Sequence, residues 1–177
     1  RFQLGLGTQV KGHNERRFSV KWSPPAPRMR EYTESLRAIW DCWQNGTTLN
    51  YEGKHYSFTL MTPEFNPGPN DSPPPPVYFA AVGPAMCRTA GEVADGILLH
   101  SFNTQRYTEE VIMPKIEEGA KRAGRSISDV MIAGGGMIAT GANDEEVHLG
   151  RENSRRRISF YGSTRTYKGV LDMHEWG

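Results

Sequence analysis

PPPPVYFAAVGPAM, Pro73 to Met86, decides how this chain of 177 residues is read. Four prolines hold the backbone extended and release it into Val77 to Val82, an apolar run ending in small residues. Gly83-Pro84 follows at once, and proline at the first helical position costs nothing because that N–H has no partner in any case. A strand fenced this closely, with a helix opening at its carboxyl end, is a β-to-α unit. The helix is predicted over Pro84 to Ala94, with Met86, Ala90, Val93 and Ala94 turned inward. Asp95-Gly96 then turns the chain into Ile97, Leu98, Leu99 and His100, a second short strand expected to be covered on both faces.

Upstream, Phe2, Leu4 and Leu6 alternate with Gln3, Gly5 and Gly7, the period of a strand. The stretch GLGTQVKGHNERRF after it reads as a glycine-rich loop. Prolines in SPPAP precede a helix carrying Met29, Tyr32, Leu36, Ile39, Trp40 and Trp43, stopped by Asn45-Gly46. LNYEGKHYSF has two aromatic arms around Glu52-Gly53 and predicts a small β-hairpin outside the main sheet. Thr62 to Pro76 reads as an extended surface connection. Downstream, Thr104 caps a helix with Tyr107, Val111, Ile112, Ile116 and Ala120, closed by Gly124 and kinked or restarted at Pro114. Val130 to Ile138 is a further strand interrupted by Gly134-Gly135-Gly136, where backbone passes close to something or bulges. Asn143 with Glu146 opens another helix, whose run Arg151 to Arg157 is a solvated face. Ser163 or Thr164 starts a last helix with Tyr167, Val170, Leu171 and Trp176.

Lysine and arginine number 21 against 20 acidic residues, so the net charge of +1 offers no field for nucleic acid or an anionic membrane. No apolar run approaches the roughly 18 residues of a membrane span, and mean hydropathy is −0.61. Small-molecule partners fit better. Cys42 and Cys87 are the two cysteines, without a paired motif, which suits a reducing cytoplasm. His13, His55, His100, His148 and His174 show no metal-ligand spacing, so no metal is expected. The opening RFQLGLG begins in mid-strand, as in a chain cut from something longer.

Strand and helix alternate throughout, which is the rhythm of α/β proteins with a parallel sheet. An open doubly wound sheet and a closed (β/α) barrel share it, and both carry function at the carboxyl ends of the strands. Those ends hold Gly5, Gly7, Thr8 and Gln9, followed by His13, Asn14, Glu15 and Arg17; then Ala80, Ala81, Val82, Gly83 and Pro84; then His100, Ser101, Phe102, Asn103 and Thr104; then Gly134 to Met137. Small and uncharged residues favour a flat cofactor, because backbone without bulky side chains approaches a ring closely and helix starts offer N–H groups to phosphate. GLGTQVKG lacks the third glycine and the distant acid of a dinucleotide fingerprint. No nucleophile elbow or phosphate loop of the Gly-x-x-x-x-Gly-Lys type occurs.

These residues resemble the luciferase-like monooxygenase superfamily, (β/α) barrels that use FMN or the deazaflavin coenzyme F-420. RFQLGLG is similar to its fourth strand, HNERRF to its Asn-Glu-Arg stretch, IWDCW to its Leu-x-x-Leu-Trp helix and NYEGKHYSF to its hairpin. PPPPVYFAAVGPAMCRTAGEVADGILLH carries the most specific likeness, and the texture is nearest to the deazaflavin-dependent branch. The resemblance implies one truncated domain over residues 1–177, half of a TIM barrel comprising strands four to seven, with the extra hairpin between strands four and five. A whole barrel runs to about 250 residues.

Carried over position by position, cofactor contacts are expected at Gly7, Thr8 and Gln9, at Ala80, Ala81, Val82, Gly83 and Pro84, and at His100, Ser101 and Thr104. Sugar-phosphate dehydrogenases of the superfamily place a glutamate where Gln9 stands, and an amide cannot donate as an acid. His13, Glu15 and His100 are the candidate acid–base groups. Phe102, Tyr78 and Trp22 are candidates for the pocket wall. The function implied is a flavin- or deazaflavin-dependent oxidoreductase or monooxygenase acting on a small organic substrate. The alternative is a truncated, non-catalytic flavin-binding or structural remnant in which two half-barrels pair as a homodimer or higher homo-oligomer, covering the open edges at Phe2 to Gly7 and Val130 to Ile138.

Overall fold

The computed structural model describes residues 2–177; Arg1, expected to open the first strand, lies outside the described residues. The chain begins with β1 (Leu4–Leu6), a short helix α1 (Lys11–Arg16) and the long helix α2 (Pro25–Asn45). A hairpin of β2 (Tyr51–Glu52) and β3 (Ser57–Phe58) and one 3-10 turn (Pro63–Phe65) precede β4 (Val77–Ala81) and α3 (Pro84–Val93). Then come β5 (Gly96–Leu99), α4 (Gln105–Tyr107), a π-helical turn (Thr108–Ile112) and α5 (Met113–Arg122). The chain closes with β6 (Met131–Ala133), α6 (Asp144–Gly162) and α7 (Lys168–Met173).

The main sheet is parallel, with the order β1-β4-β5-β6. This is the parallel α/β sheet expected from the rhythm of the sequence, its four strands agree with the half-barrel that the resemblance implied, and the hairpin forms its own two-stranded sheet, with Tyr51 opposite Phe58. Its closing turn is held from α2, where the Glu31 carboxylate accepts the backbone N–H groups of His55 at 2.6 Å and Tyr56 at 3.3 Å.

Register divides the sheet into two unlike faces. Val77, Phe79 and Ile97 are fully buried and pack with Cys87, Ala90 and Ile116 of α3 and α5. The other face carries Gly5, Tyr78, Gly96 and Met131 in one row and Ala80, Leu98 and Ala133 in the next. Much of that face is uncovered, with Leu98 42% exposed and Met131 59%, while the Tyr78 ring lies buried over Gly96. The expectation of strands buried on both faces is therefore corrected, because among the described residues no strand lies opposite to cover this side.

Two devices fix the strands against the helices. Arg125 donates to the carbonyls of Gly91 at 3.1 Å and Ala94 at 2.9 Å, satisfying the end of α3, and to that of Asp129 at 3.3 Å. Gly91 and Gly119 let α3 and α5 touch backbone to backbone, since a Cβ at Gly91 would run into the Ile116 carbonyl and one at Gly119 into that of Arg88.

Three local expectations change. GLGTQVKGHNERRF is not all loop, because Lys11–Arg16 winds into α1. The strand predicted over Val130 to Ile138 ends at Ala133, where Gly134 takes φ +142° against Leu99, so the expected close approach is present and terminates the pairing. The helix after Thr104 is wound wide just before Pro114, which cannot donate to a carbonyl one turn back; the π turn takes up that crowding.

Candidate functional site

Parallel strands place their carboxyl ends side by side, so the loops after β1, β4 and β5 form one neighbourhood. After β1, Gln9 adopts φ +56°, which directs the chain sharply into α1. The buried Asn14 holds that turn, its Nδ2 donating to the Thr8 carbonyl at 2.9 Å while its own carbonyl accepts from Val20 N–H. His13 Nδ1 lies 3.4 Å from Gln9 Oε1. Glu15 instead sits on the outer side of α1, 3.9 Å from Lys11 Nζ in an exposed pair. A cavity of about 310 Å³ beneath this loop is lined by Gly7, Thr8, Gln9 and Asn14 together with Arg28 and Tyr32 of α2, and neither His13 nor Glu15 reaches it.

At the end of β4 the two alanines part company. Ala81 is buried on the helix side, whereas Ala80 is exposed on the uncovered face, and a Cβ at Gly7 would lie 3.5 Å from that of Ala80. Gly7 and Ala80 thus form a shallow ledge. Val82 and Gly83 lead from it into α3, where Pro84 is the first residue and a Cβ at Gly83 would meet open space. Pro84 has no N–H and Cys87 N–H bonds the Gly83 carbonyl, so the N–H groups of Ala85 and Met86 are those of this first turn without intrahelical partners. Cys87 in the same helix is inert, since burial pushes its thiol up to about 12.

After β5, His100 is engaged at both nitrogens. Nδ1 accepts from Phe102 N–H at 3.0 Å, and Nε2 lies 3.2 Å from the Tyr167 hydroxyl. An Nδ1 that accepts leaves the proton on Nε2, so the imidazole is the neutral Nε2–H tautomer. Burial drives its pKa below the ordinary value and favours the same state. Tyr161 meets the ring edge-on at 4.5 Å and Tyr167 lies at 4.6 Å, with Phe102 completing an aromatic cluster. Burial also raises the Tyr167 phenol, which keeps it protonated. His100 is thus a fixed hydrogen-bonding group.

Thr104 caps α4 by accepting from Tyr107 N–H, and its hydroxyl oxygen lies 2.7 Å from His174 Nε2. Ser101 and Asn103 line a second cavity between the β5 and β6 ends and the helices α6 and α7. The structure sets Gly7 against Ala80, puts Gly7, Thr8 and Gln9 in the lining of one cavity and Ser101 and Thr104 in that of another, and leaves Glu15 apart. Tyr78 faces the uncovered side and Phe102 joins the aromatic cluster.

Sequence reasoning missed three contributors and the role of a fourth. Arg28 is the first arginine after SPPAP, and only the return of α2 beneath β1 brings it to the Thr8 loop. Asn14 was visible within HNERRF, but its role needs the hydrogen bond to Thr8. Tyr161 and Tyr167 reach His100 across more than sixty residues, a distance at which no periodicity signals contact.

Comparison with known proteins adds the family. The luciferase-like monooxygenase family matches residues 1–177, and the chain belongs to it. An uncharacterized protein of Mycobacterium tuberculosis is 48% identical over 177 residues, covering 100% of this chain and 52% of that protein. The 5,10-methylenetetrahydromethanopterin reductase of Methanopyrus kandleri is 37% identical over 119 residues, covering 63% of this chain and 32% of that protein. The solved coenzyme F420-dependent tetrahydromethanopterin reductase from Methanopyrus kandleri superposes with a TM-score of 0.67 at 27% identity, covering 98% of this chain and 50% of that one. The chain spans about half the length of its full-coverage relative, or less in the shorter match.

Proposed function

We propose that this member of the luciferase-like monooxygenase family is an oxidoreductase that holds coenzyme F-420 on the ledge formed by Gly7 and Ala80 and acts on a small organic substrate. The carrying observation is that ledge: small residues on an uncovered sheet face, running into the open start of α3 at Gly83. The residues present fit the group. A planar ring needs close backbone approach, which Gly7 and Ala80 permit, and a phosphate needs free N–H donors, which the first turn of α3 offers. The name of the solved coenzyme F420-dependent tetrahydromethanopterin reductase supports the deazaflavin over FMN.

When bound, the coenzyme supplies hydride acceptance or donation at its ring; the protein supplies position. Asn14 fixes the Thr8 carbonyl and so the height of the Gly7–Gln9 turn above the ledge. Gln9 offers an amide where an acid would transfer a proton, so this loop orients and does not protonate. The imidazole of His100 is spent on Phe102 and Tyr167 and serves to hold the far wall. His13 is the acid–base candidate nearest to the Gln9 turn. Titrating the 177-residue chain with coenzyme F-420 and separately with FMN, following ligand fluorescence, tests the reading. Saturable micromolar binding of F-420 supports it, and binding of neither ligand refutes it.

The uncovered face supports a second reading, in which two copies pair. A twofold axis along the barrel direction sets β1 of one copy beside β6 of its partner, parallel as the sheet requires, and closes eight strands around Leu98 and Met131.

A further inference from the structure

We propose that the cavity beneath the Gly7–Gln9 turn binds the carboxylate of a small organic acid, with Arg28 as its counter-ion, and that this acid is the substrate. The cavity measures about 310 Å³, and Arg28 is the one charged residue among the described residues that line it. That volume stands at the lower end of the ligand-cleft range, which begins at roughly 300 Å³, so the occupant is small. Tyr32 lies one turn on from Arg28 along the same face of α2, and its ring meets that of Tyr56 at 5.4 Å. Both tyrosines line the cavity, which adds phenol groups and no competing negative charge.

The charge follows from an account of the arginines. α2 carries three; Arg30 pairs with Glu92 and Arg37 with Asp95, whereas Arg28 has no ion pair among the described residues. Glu31, the carboxylate one turn away, is engaged by the hairpin, accepting the N–H groups of His55 and Tyr56. Arg28 is nevertheless half-buried, and a cation drawn out of water without a partner is costly unless a ligand supplies the opposite charge. Its place in the helix adds to the same field. It is the fourth residue of α2, whose first turn holds no acidic residue, so the guanidinium and the positive end of the helix dipole favour an anion together. A carboxylate matches the guanidinium fork with two parallel hydrogen bonds and brings one negative charge against one positive. A phosphate monoester brings a second charge, for which the lining holds no cation. Gly7 lines this cavity and also forms the ledge, so an acid anchored at Arg28 has its remaining atoms beside the place proposed for the ring.

Identifying the acid as the substrate rests on the oxidoreductase reading; the cavity's preference for a carboxylate does not. The first test therefore omits the coenzyme. Benzoate and benzamide share a ring and a size, but only benzoate is charged. Each is titrated into the 15N-labelled chain at millimolar concentration, following the Arg28 Nε–H and the Asn14 side-chain amide by NMR. The expected result is saturable shifting of both signals, with benzoate bound at least about tenfold more tightly than benzamide and more tightly than phenyl phosphate. Arg28→Gln is expected to bring benzoate and benzamide to equal affinity. Equal affinities in the unaltered chain, tighter binding of phenyl phosphate, shifts centred on the Ala85 and Met86 N–H groups instead, or no saturable shift overturns the proposal without needing the variant. Saturating F-420 is then expected to leave benzoate bound, and displacement would give the site to the coenzyme and overturn its assignment to substrate. F-420 binding is measured separately, so failure here and failure of the cofactor reading are told apart.

Discussion

Asp95 and Val77 exchange two hydrogen bonds: the Asp95 N–H donates to the Val77 carbonyl at 2.8 Å, and the Val77 N–H donates to Asp95 Oδ2 at 2.8 Å. The side chain stands in for a strand partner where the prolines leave off, and its other oxygen receives Arg37 at 3.0 Å. Val77 is fully buried, so removing the acceptor strands an amide. Asp95→Ala is expected to cost about 1–3 kcal/mol in urea unfolding, and Asp95→Asn distinctly less because it keeps an acceptor. Equal losses from both would remove this explanation of Asp95 at the Asp95-Gly96 turn.

The crossing of α3 and α5 permits no side chain. Gly119→Ala or Gly91→Ala forces a methyl into a facing carbonyl, and each is expected to destabilise by about 2 kcal/mol or more. Gly135, where a Cβ would meet nothing, provides the contrast. Its alanine variant is expected to unfold with the parent chain in the same thermal melt.

His100 makes stability depend on pH. Its folded pKa lies below the ordinary value of 6.5, so between the two the unfolded chain binds the extra proton. Stability is therefore complete above about pH 6.5 and falls as the pH drops toward the folded pKa, below which the loss is full. Urea midpoints measured across this range should decline, with loss of the near-ultraviolet signal of Tyr161 and Tyr167. His100→Gln is expected to flatten the part of that decline due to this ring. An unchanged slope would show that the imidazole titrates freely.

Pairing of two half-barrels predicts mass. Light scattering at micromolar concentration is expected to report twice the chain mass, and Leu98→Glu, which sets a charge on the uncovered face, is expected to return it to one. A parent chain that stays monomeric contradicts the paired arrangement and leaves the ledge exposed.

Much of this architecture is legible in the sequence because it is local. Pro73 to Pro84 states where β4 begins and where α3 starts, and Gly46 and Gly124 both adopt the positive φ that their places after helices imply. Pro114 marks the wide turn before it. What the sequence hides is set by distance or by the covering of a face. Leu98 looks like a core residue because its apolarity cannot tell which side of a strand will be covered. The His100–Tyr167 contact joins elements 67 residues apart. The cofactor residues lie between these cases: their order along the chain is readable, while the separation of the buried Ala81 from the exposed Ala80 is a matter of register.

F-420 affinity in the parent chain beside Ala80→Trp reports whether the Gly7–Ala80 ledge holds a deazaflavin. Ala80 is exposed, so an indole there fills the ledge without entering the core. The account predicts micromolar binding to the parent chain, a loss of at least about tenfold in the variant, and little change in thermal midpoint. Equal binding by the two proteins, or none by the parent chain, would contradict it.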